Sequence, residues 1–418
     1  MNILLINHYA GSTEMGMEFR PFYLAQEWVK MGHEVTIVAG DYSHLRMKNP
    51  VVEKDFVQQD MDGIRYVWFK TGAYQGNGVK RALTMLRFVG KLYQYGSRIS
   101  KLVKPDVVIA SSTYPLDAYA AHFIARKTNA KVIHEVHDMW PSTLVELGGM
   151  SRMHPFVIMM QIGENYAYRH ADYVVSLLSC AEAYMKEHGL RDNGFVCIRN
   201  GVVLEDWENP QPLPEEHQRI LSELKKDKFV VGYFGGHALS NALDLLLDAA
   251  KELKGTNIHV VLVGDGVEKR RLQERAKKEH IENVTFLDSV SKKAVPSLVS
   301  YFDCSYLGAL DSPLYRFGIC MNKIFDSMMA GKPMVCAIKT PDKLIPENGC
   351  GVMVDPISPE YVANAIREMA AMSPESLAEM GENGRKAAVE RYNYTALARQ
   401  FADLFTKQLG GNIWNLSI

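Results

Sequence analysis

Three polar side chains open an otherwise apolar helical segment in FGICMNKIFDSMMAGKP, residues 317–333: Asn322, Lys323 and Asp326. The first turn of a helix leaves backbone N–H groups without partners, and its dipole favours negative charge. A cation and a side-chain amide added there suit a docked anion. The plain alternative is a helix-surface ion pair between Lys323 and Asp326, one turn apart. A second cluster lies in HEVHDMWP, which places His134, Glu135, His137, Asp138 and Trp140 at and just beyond the end of the run AKVIHEV. Strand alternation sends His134 and His137 to opposite faces or to the rim, so a dinuclear metal cage is not expected. A His137–Asp138 pair at a strand's carboxyl end suits holding or deprotonating a hydroxyl. A turn histidine followed by a helix-capping aspartate is the competing account. Glycines recur in equivalent places: Gly11 and Gly16, Gly235-Gly236, and Gly264-Asp265-Gly266. None completes GxGxxG or a Walker A loop, but each group follows a β-branched run, where backbone amides can approach a phosphate.

The elements that must carry these groups alternate along the whole chain. NILLIN is followed by a helix through MEFRPFYLAQEWVKMG and then by HEVTIVAG. PDVVIASS, a helix over PLDAYAAHFIARKTN, AKVIHEVHD, a longer helix to about Ala171 and ADYVVSLL continue the series. Runs apolar on both faces, separated by helices, predict a parallel sheet covered on both sides. After the proline-rich stretch NGVVLEDWENPQPLPEEHQ the pattern restarts with KFVVGYFGG, IHVVLVGDG, NVTFLDSV, FDCSYLGA and KPMVCAI. The fold class expected is α/β, with two Rossmann-like doubly wound domains: 1–200, 201–390, and a C-terminal helical segment 391–418 that packs back towards the first. Ligands in such sheets sit beyond the carboxyl ends of the strands, and two domains leave a cleft there.

Composition narrows the class. The chain has 418 residues, a net charge of −1 and 47% hydrophobic residues, which describes folded domains and excludes disorder. No apolar run approaches the roughly 18–20 residues needed to span a bilayer. The opening MNILLINHYAG reads as a first strand and not as a secretory leader. Six cysteines without CxxC spacing indicate neither a zinc site nor a disulfide framework, so a reduced, cytoplasmic protein is expected. One bias stands out. No acid occurs between Asp62 and Asp106, where Arg65, Lys70, Lys80, Arg81, Arg87, Lys91, Arg98, Lys101 and Lys104 fall. Met85, Phe88, Leu92, Tyr95, Ile99 and Leu102 recur there at helical spacing, with Arg87, Lys91, Arg98 and Lys101 along a neighbouring stripe. A solvated surface helix explains this; a helix lying on the anionic inner face of the cell membrane, or beside a phosphorylated acceptor, is the sharper expectation.

GHEVTIVAG after the first helix, IRNGVVLEDW at the domain junction and DSMMAGKP in the second domain resemble the family-four retaining glycosyltransferases of GT-B fold. HDMWP resembles the bacterial branch that includes aminosugar transferases of surface-polysaccharide synthesis. The similarity runs over essentially the whole chain. It implies a nucleotide-sugar donor, UDP-linked, bound by the second domain, and an acceptor, a glycan or a polyprenyl-diphosphate-linked sugar, bound by the first. It implies no metal, no other cofactor and no nucleic acid. Asp326 then matches the second carboxylate of the family's E-x7-E pattern, which accepts from the donor's ribose hydroxyls. Lys323 neutralises the diphosphate, Asn322 reaches sugar or phosphate, and Gly318 stands where the first glutamate would touch the sugar. That role would pass to backbone amides around Phe317–Cys320. Gly235, Gly236, Asn241, Gly264, Asp265, Gly266 and Val290 complete the donor side. His137 and Asp138 orient the acceptor hydroxyl, with Gly11, Gly16, Arg20 and Trp140 on the acceptor side.

Transfer with retention is expected by front-face attack, the leaving phosphate taking the proton while Lys323 and the Gly235-Gly236 amides stabilise its charge. Domain closure would exclude water. Two alternatives stay open: a GT-B sugar-nucleotide epimerase, and a non-catalytic GT-B partner subunit, the latter motivated by the missing glutamate. A nicotinamide-dependent dehydrogenase is disfavoured, because the first turn lacks GxGxxG and HEVTIVAG ends without a ribose-binding acid.

Overall fold

A helix between successive strands returns the chain to the same end of the sheet, so the strands pair in parallel with both faces covered, and both halves of the chain do this. The computed structural model describes residues 1–16, 19–76 and 78–406. The first unit comprises Met1–Arg199 together with the chain from Tyr394 onward; the second comprises Asn200–Asn393.

In the first unit, β1 (Asn2–Ile6), β2 (Glu34–Gly40), β3 (Val57–Met61), β4 (Ile64–Phe69), β5 (Val107–Ala110), β6 (Lys131–Val136), β7 (Tyr173–Ser176) and β8 (Phe195–Cys197) form one sheet in the order β3-β4-β2-β1-β5-β6-β7-β8. All neighbours are parallel except the β3–β4 hairpin. That hairpin lies inside the region read from sequence only as a basic stretch and its approach. Its turn is Asp62-Gly63, both at positive φ (53° and 78°), a pair that a tight two-residue hairpin requires. β3, sequence VQQDM and mostly exposed, forms the polar edge of the sheet. β1 pairs with β2 on one side and β5 on the other, so the strand order reverses there and a crevice opens beyond their carboxyl ends.

The helix Val79–Val103 lies across this sheet and buries Phe88, Leu92 and Ile99 in one cluster with Leu4, Val38, Val108 and Ile124, and Met85 in another with Tyr9, Tyr114 and Trp140. Gly96 lets it approach the helix Asp117–Ala125: a Cβ there would stand 2.8 Å from the Phe123 ring. The helix Tyr394–Thr406 packs on the helix Phe19–Lys30. Trp28 Nε1–H donates to the Ala398 carbonyl at 3.1 Å, and its ring meets Phe401 and Phe405 edge-on. The sequence reading of this last segment extends past Thr406, outside the described residues.

In the second unit, β9 (Phe229–Phe234), β10 (Ile258–Val263), β11 (Val284–Leu287), β12 (Cys304–Gly308), β13 (Met334–Ala337) and β14 (Gly351–Met353) form a parallel sheet in the order β11-β10-β9-β12-β13-β14. β9, β10, β12 and β13 are buried at every position. The reversal of strand order falls between β9 and β12. Among the described residues no helix is long and apolar enough to cross a membrane.

Candidate functional site

In the second unit the turn after β9 and the helix after β12 meet at the reversal point. Tyr233, at the end of β9, donates its hydroxyl to the Gly236 carbonyl at 2.7 Å, and Asn241 Nδ2 donates to the same oxygen at 3.0 Å. Lys323, in the first turn of the helix Asn322–Met329, lies over this platform. Its Nζ is 4.3 Å from the Tyr233 ring centre and donates to Tyr233 Oη and Asn241 Oδ1, each at 3.2 Å. A Cβ on Gly235 would lie 3.6 Å from Nζ. Among the described residues no carboxylate pairs with this ammonium, and burial lowers its pKa to about 8. The helix starts without a side-chain cap, and Asn322 is exposed at its head. Lys323 and Asp326 do not pair with each other. Asp326 is buried, and both its oxygens accept from Lys292 Nζ, at 2.6 and 2.7 Å.

The glycines do other work than the sequence suggested. Gly235 N–H donates to Val263 O, Gly264 N–H to Leu287 O and Gly266 N–H to Asp265 Oδ1, so these amides are occupied. Among the amides of the β9 turn, His237 N–H also donates, to Asp265 O, whereas Gly236 N–H is exposed and makes no bond among the described residues. Gly264 is a glycine because two turns touch through their backbones: its φ is 152°, and a Cβ would stand 1.9 Å from the Gly235 carbonyl oxygen. Gly318 has φ 108° and its N–H donates to Tyr315 O, while Ile319 N–H donates to the buried Asp342. These two amides therefore cannot take over the role of a glutamate at 318 without first giving up a bond. Val290 packs, partly buried, against Leu213, Leu287 and Val299. His237, fully buried between Tyr233 and Phe286, has neither ring nitrogen bonded among the described residues; burial, followed by the Lys269 charge, lowers it to about 4.

In the first unit, Glu135 organises the carboxyl ends of β5 and β6. Its Oε1 accepts from Arg20 Nε at 2.9 Å; its Oε2 accepts from Ser111 Oγ at 2.6 Å and lies 3.2 Å from His137 Nε2. Ser111 Oγ is also 3.0 Å from that nitrogen. Burial pushes the Glu135 carboxyl up, but the Arg20 charge, then the His137 charge and the His137 and Ser111 hydrogen bonds, hold it well below the usual range. An ionised Glu135 can only accept, so Nε2 is the nitrogen that carries the proton. Arg20, expected on the acceptor side, is buried and committed: besides Glu135 it donates to the carbonyls of Ile198 and Arg199, at 2.9 and 2.7 Å. Gly11 is tied by its carbonyl to Tyr66 Oη at 2.6 Å, and Gly16, at φ 69°, closes a turn against Met47. Asp138 is exposed beside His137, and Trp140 is buried just beyond.

The basic stripe is largely spent inside its own domain. Lys91 pairs with Asp55 at 2.5 Å, Arg98 lies 4.0 Å over the Phe56 ring, and Arg87 donates to Thr71 O at 3.2 Å. The acid that neutralises Lys91 precedes the acid-free stretch in sequence, which is why the stripe looked uncompensated. Lys101 is exposed. Among the described residues no group of three or more His, Cys, Asp and Glu side chains is placed to hold a metal ion.

Tyr233 and Lys292 were missed by sequence reasoning, and Glu135 was noted only as part of its motif. Position at a strand's carboxyl end was the available signal for Tyr233 and Glu135; nothing local marks Lys292.

Two family profiles match the chain: one described as Glycosyl transferase 4-like domain, over residues 16–201, and one as Glycosyl transferases group 1, over residues 215–387. The Escherichia coli (strain K12) protein WcaI, which carries the name of a colanic acid biosynthesis glycosyl transferase, is 20% identical over 356 residues, 82% of this chain and 86% of that protein. Sucrose-phosphate synthase from Thermosynechococcus elongatus shares the fold with a TM-score of 0.71 at 16% identity, over 96% of this chain and 98% of the other. The Anabaena protein HepE, solved in complex with UDP and glucose, does so with a TM-score of 0.65 at 18% identity, over 96% and 98%. The two profiles between them take in Arg20, Glu135, His137, Asp138, Lys292, Lys323 and Asp326, and the chain belongs to the family-four glycosyltransferases of GT-B fold.

Proposed function

We propose that this glycosyltransferase moves a hexosyl or N-acetylaminosugar unit from a UDP-sugar onto a hydroxyl of a glycan acceptor, with retention and without a metal ion. Lys323 carries this reading. An ammonium brought down to about 8 by burial, with no carboxylate against it among the described residues, takes from a diphosphate the counter-charge these neighbours do not supply. The exposed Gly236 amide and the uncapped start of the Asn322–Met329 helix add donors to the same anion. Asp326 keeps lone pairs beyond those used by Lys292, enough to accept from a ribose diol. HepE's complex with UDP and glucose, and WcaI's name, support UDP as carrier and a polysaccharide as product.

In the reaction, the bond between the anomeric carbon and the diphosphate breaks and its electron pair stays on the leaving oxygen. The acceptor oxygen bonds to the anomeric carbon from the same face, and its proton passes to that leaving oxygen. Lys323 and Gly236 N–H stabilise the growing charge. Glu135 fixes His137, and His137 with Asp138 orients the attacking hydroxyl. The acceptor is a polyprenyl-diphosphate-linked sugar, handled by a cytoplasmic protein in peripheral contact with the anionic inner leaflet.

The Gly318 backbone favours a second reading, a non-catalytic subunit or an epimerase, because φ 108° suits glycine and not the family's glutamate. Calorimetric titration with UDP and UDP-sugars, followed by assay of donor hydrolysis, decides. Binding is expected, and Lys323→Ala should weaken UDP at least about tenfold. Unchanged UDP affinity in that variant defeats the donor assignment. A donor that binds but is neither hydrolysed nor transferred favours a non-catalytic subunit, and conversion to an epimer favours the epimerase.

A further inference from the structure

The first unit contains a cavity of about 1100 Å³ that the donor chemistry does not use. Its walls are the start of the helix Val79–Val103, the chain from Asp138 through the short helix Ser142–Glu146, and the start of the helix Pro155–His170. Ordinary small-ligand pockets hold roughly 300–1,000 Å³, so this one has room for more than a sugar. Its lining is dominated by apolar side chains, among them Met85, Leu144, Met150, Phe156 and Met159, and the methionines among them adapt to an irregular chain. The apolar surface continues outward. Val79 and Leu147 line the cavity and are 76% and 53% exposed; Met153, on the adjoining loop, is 78% exposed. Large exposed hydrophobics grouped around an apolar opening mark a site for an apolar partner.

One end is polar. Asp138 and Thr113 line it at the carboxyl ends of β6 and β5, and Arg81 and His44 line it as well. Arg81 is held by the Tyr9 hydroxyl at 3.4 Å, and its guanidinium lies 5.6 and 5.8 Å from the Tyr9 and Trp140 ring centres. Its positive field reaches His8 and His44, where it adds to burial in lowering both. A hydroxyl-binding carboxylate, a fixed guanidinium and a long apolar channel match an amphiphile with a sugar, an anionic linker and a hydrocarbon tail.

We propose that this cavity holds the lipid portion of the acceptor: a polyprenyl chain along Met85, Leu144, Met150 and Met159, its diphosphate at Arg81 and its sugar at Asp138. The assignment rests on the glycosyltransferase reading above and deepens it by locating the acceptor.

The test titrates the full-length protein with geranylgeranyl diphosphate below its micelle concentration, with UDP present at saturation to occupy the Lys323 site. Wild type should bind. Ala82→Trp, which fills the cavity, should weaken that binding at least about tenfold while UDP affinity stays unchanged. Arg81→Gln should weaken the isoprenoid diphosphate but not geranylgeraniol. Photolysis of a diazirine-bearing isoprenyl diphosphate on wild type should label peptides within residues 79–85 or 144–159, which keeps the test valid if Ala82→Trp fails to fold. Undiminished binding in a folded Ala82→Trp, labelling elsewhere, or equal binding of dihexanoyl phosphatidylglycerol would each overturn the proposal. If UDP fails to bind wild type while the isoprenoid still labels this cavity, the donor reading falls and this one stands.

Discussion

Lys323 and Glu135 are opposite cases of a buried charge. Lys323 donates to two neutral oxygens and meets no carboxylate among the described residues, so it is held ready for an anion. Binding a diphosphate favours its ammonium form and raises its pKa from about 8. UDP affinity should therefore fall as the pH rises from 7 through 9, and this slope should vanish in Lys323→Gln; a slope unchanged by the substitution would assign it to another group. Glu135 is already satisfied. Its lowered pKa adds stability that is complete above the unfolded value, roughly 4.3, and is lost as the pH falls towards its folded value. Removing either partner strands a buried charge, so Arg20→Met or Glu135→Leu alone should cost about 3–5 kcal/mol in denaturant unfolding. The double variant should recover much of that loss, yet turnover should stay low, because His137 is no longer oriented. Recovered turnover would make the network purely structural. Lys323, Asp326 and the His137–Asp138 pair were legible as candidates because residue type and strand-end position are local. Their partners were not: Lys292 lies 34 residues from Asp326 and Arg20 lies 115 from Glu135.

At the scale of elements, period and turn chemistry account for most of the sheets. β1, β2, β5, β6 and β7 and, in the second unit, β9, β10, β12 and β13 are apolar runs whose both-face burial reads directly from composition, and β11 is a partly buried apolar run beside them. The β3–β4 hairpin was lost because its charges drew it into a basic stretch, although Asp62-Gly63 is a hairpin signal. β8 and β14 are three-residue edge strands, too short for any periodicity. The turns after β9 and β10 are set by mutual contact, which gives a sharp test. Gly264→Ala must displace the Gly235 carbonyl or strain its own backbone. It should destabilise the second unit by more than about 1 kcal/mol and weaken UDP binding, because the Tyr233–Gly236–Lys323 platform moves. Chemical denaturation and UDP titration on this variant measure both; normal UDP affinity would separate the turn from the platform.

For the whole molecule, the last described helix belongs structurally to the first unit although it follows the second in sequence. It covers Trp28 and supplies Phe401 and Phe405 to that core, and Thr395 Oγ1 donates to Glu27 at 2.8 Å. Ending the chain after Asn393 should expose this apolar surface, lower the melting temperature and make Phe19–Lys30 susceptible to limited proteolysis. A truncated protein with the parent melting temperature would show that the helix is dispensable.

What the sequence alone determined is what depends on neighbours in the chain: two parallel-sheet series, the strand-end positions of the chemistry, the family resemblance and the absence of a long apolar span. Only the tertiary structure decided which charges are paired, since Coulombic and hydrogen-bond partners come from strands and helices far apart in sequence. It gave Lys91, Arg98 and Arg87 partners within their own domain, occupied the Gly235, Gly264 and Gly266 amides, and left Lys323 with neutral partners because the nearest carboxylate on its own helix, Asp326, is claimed by Lys292.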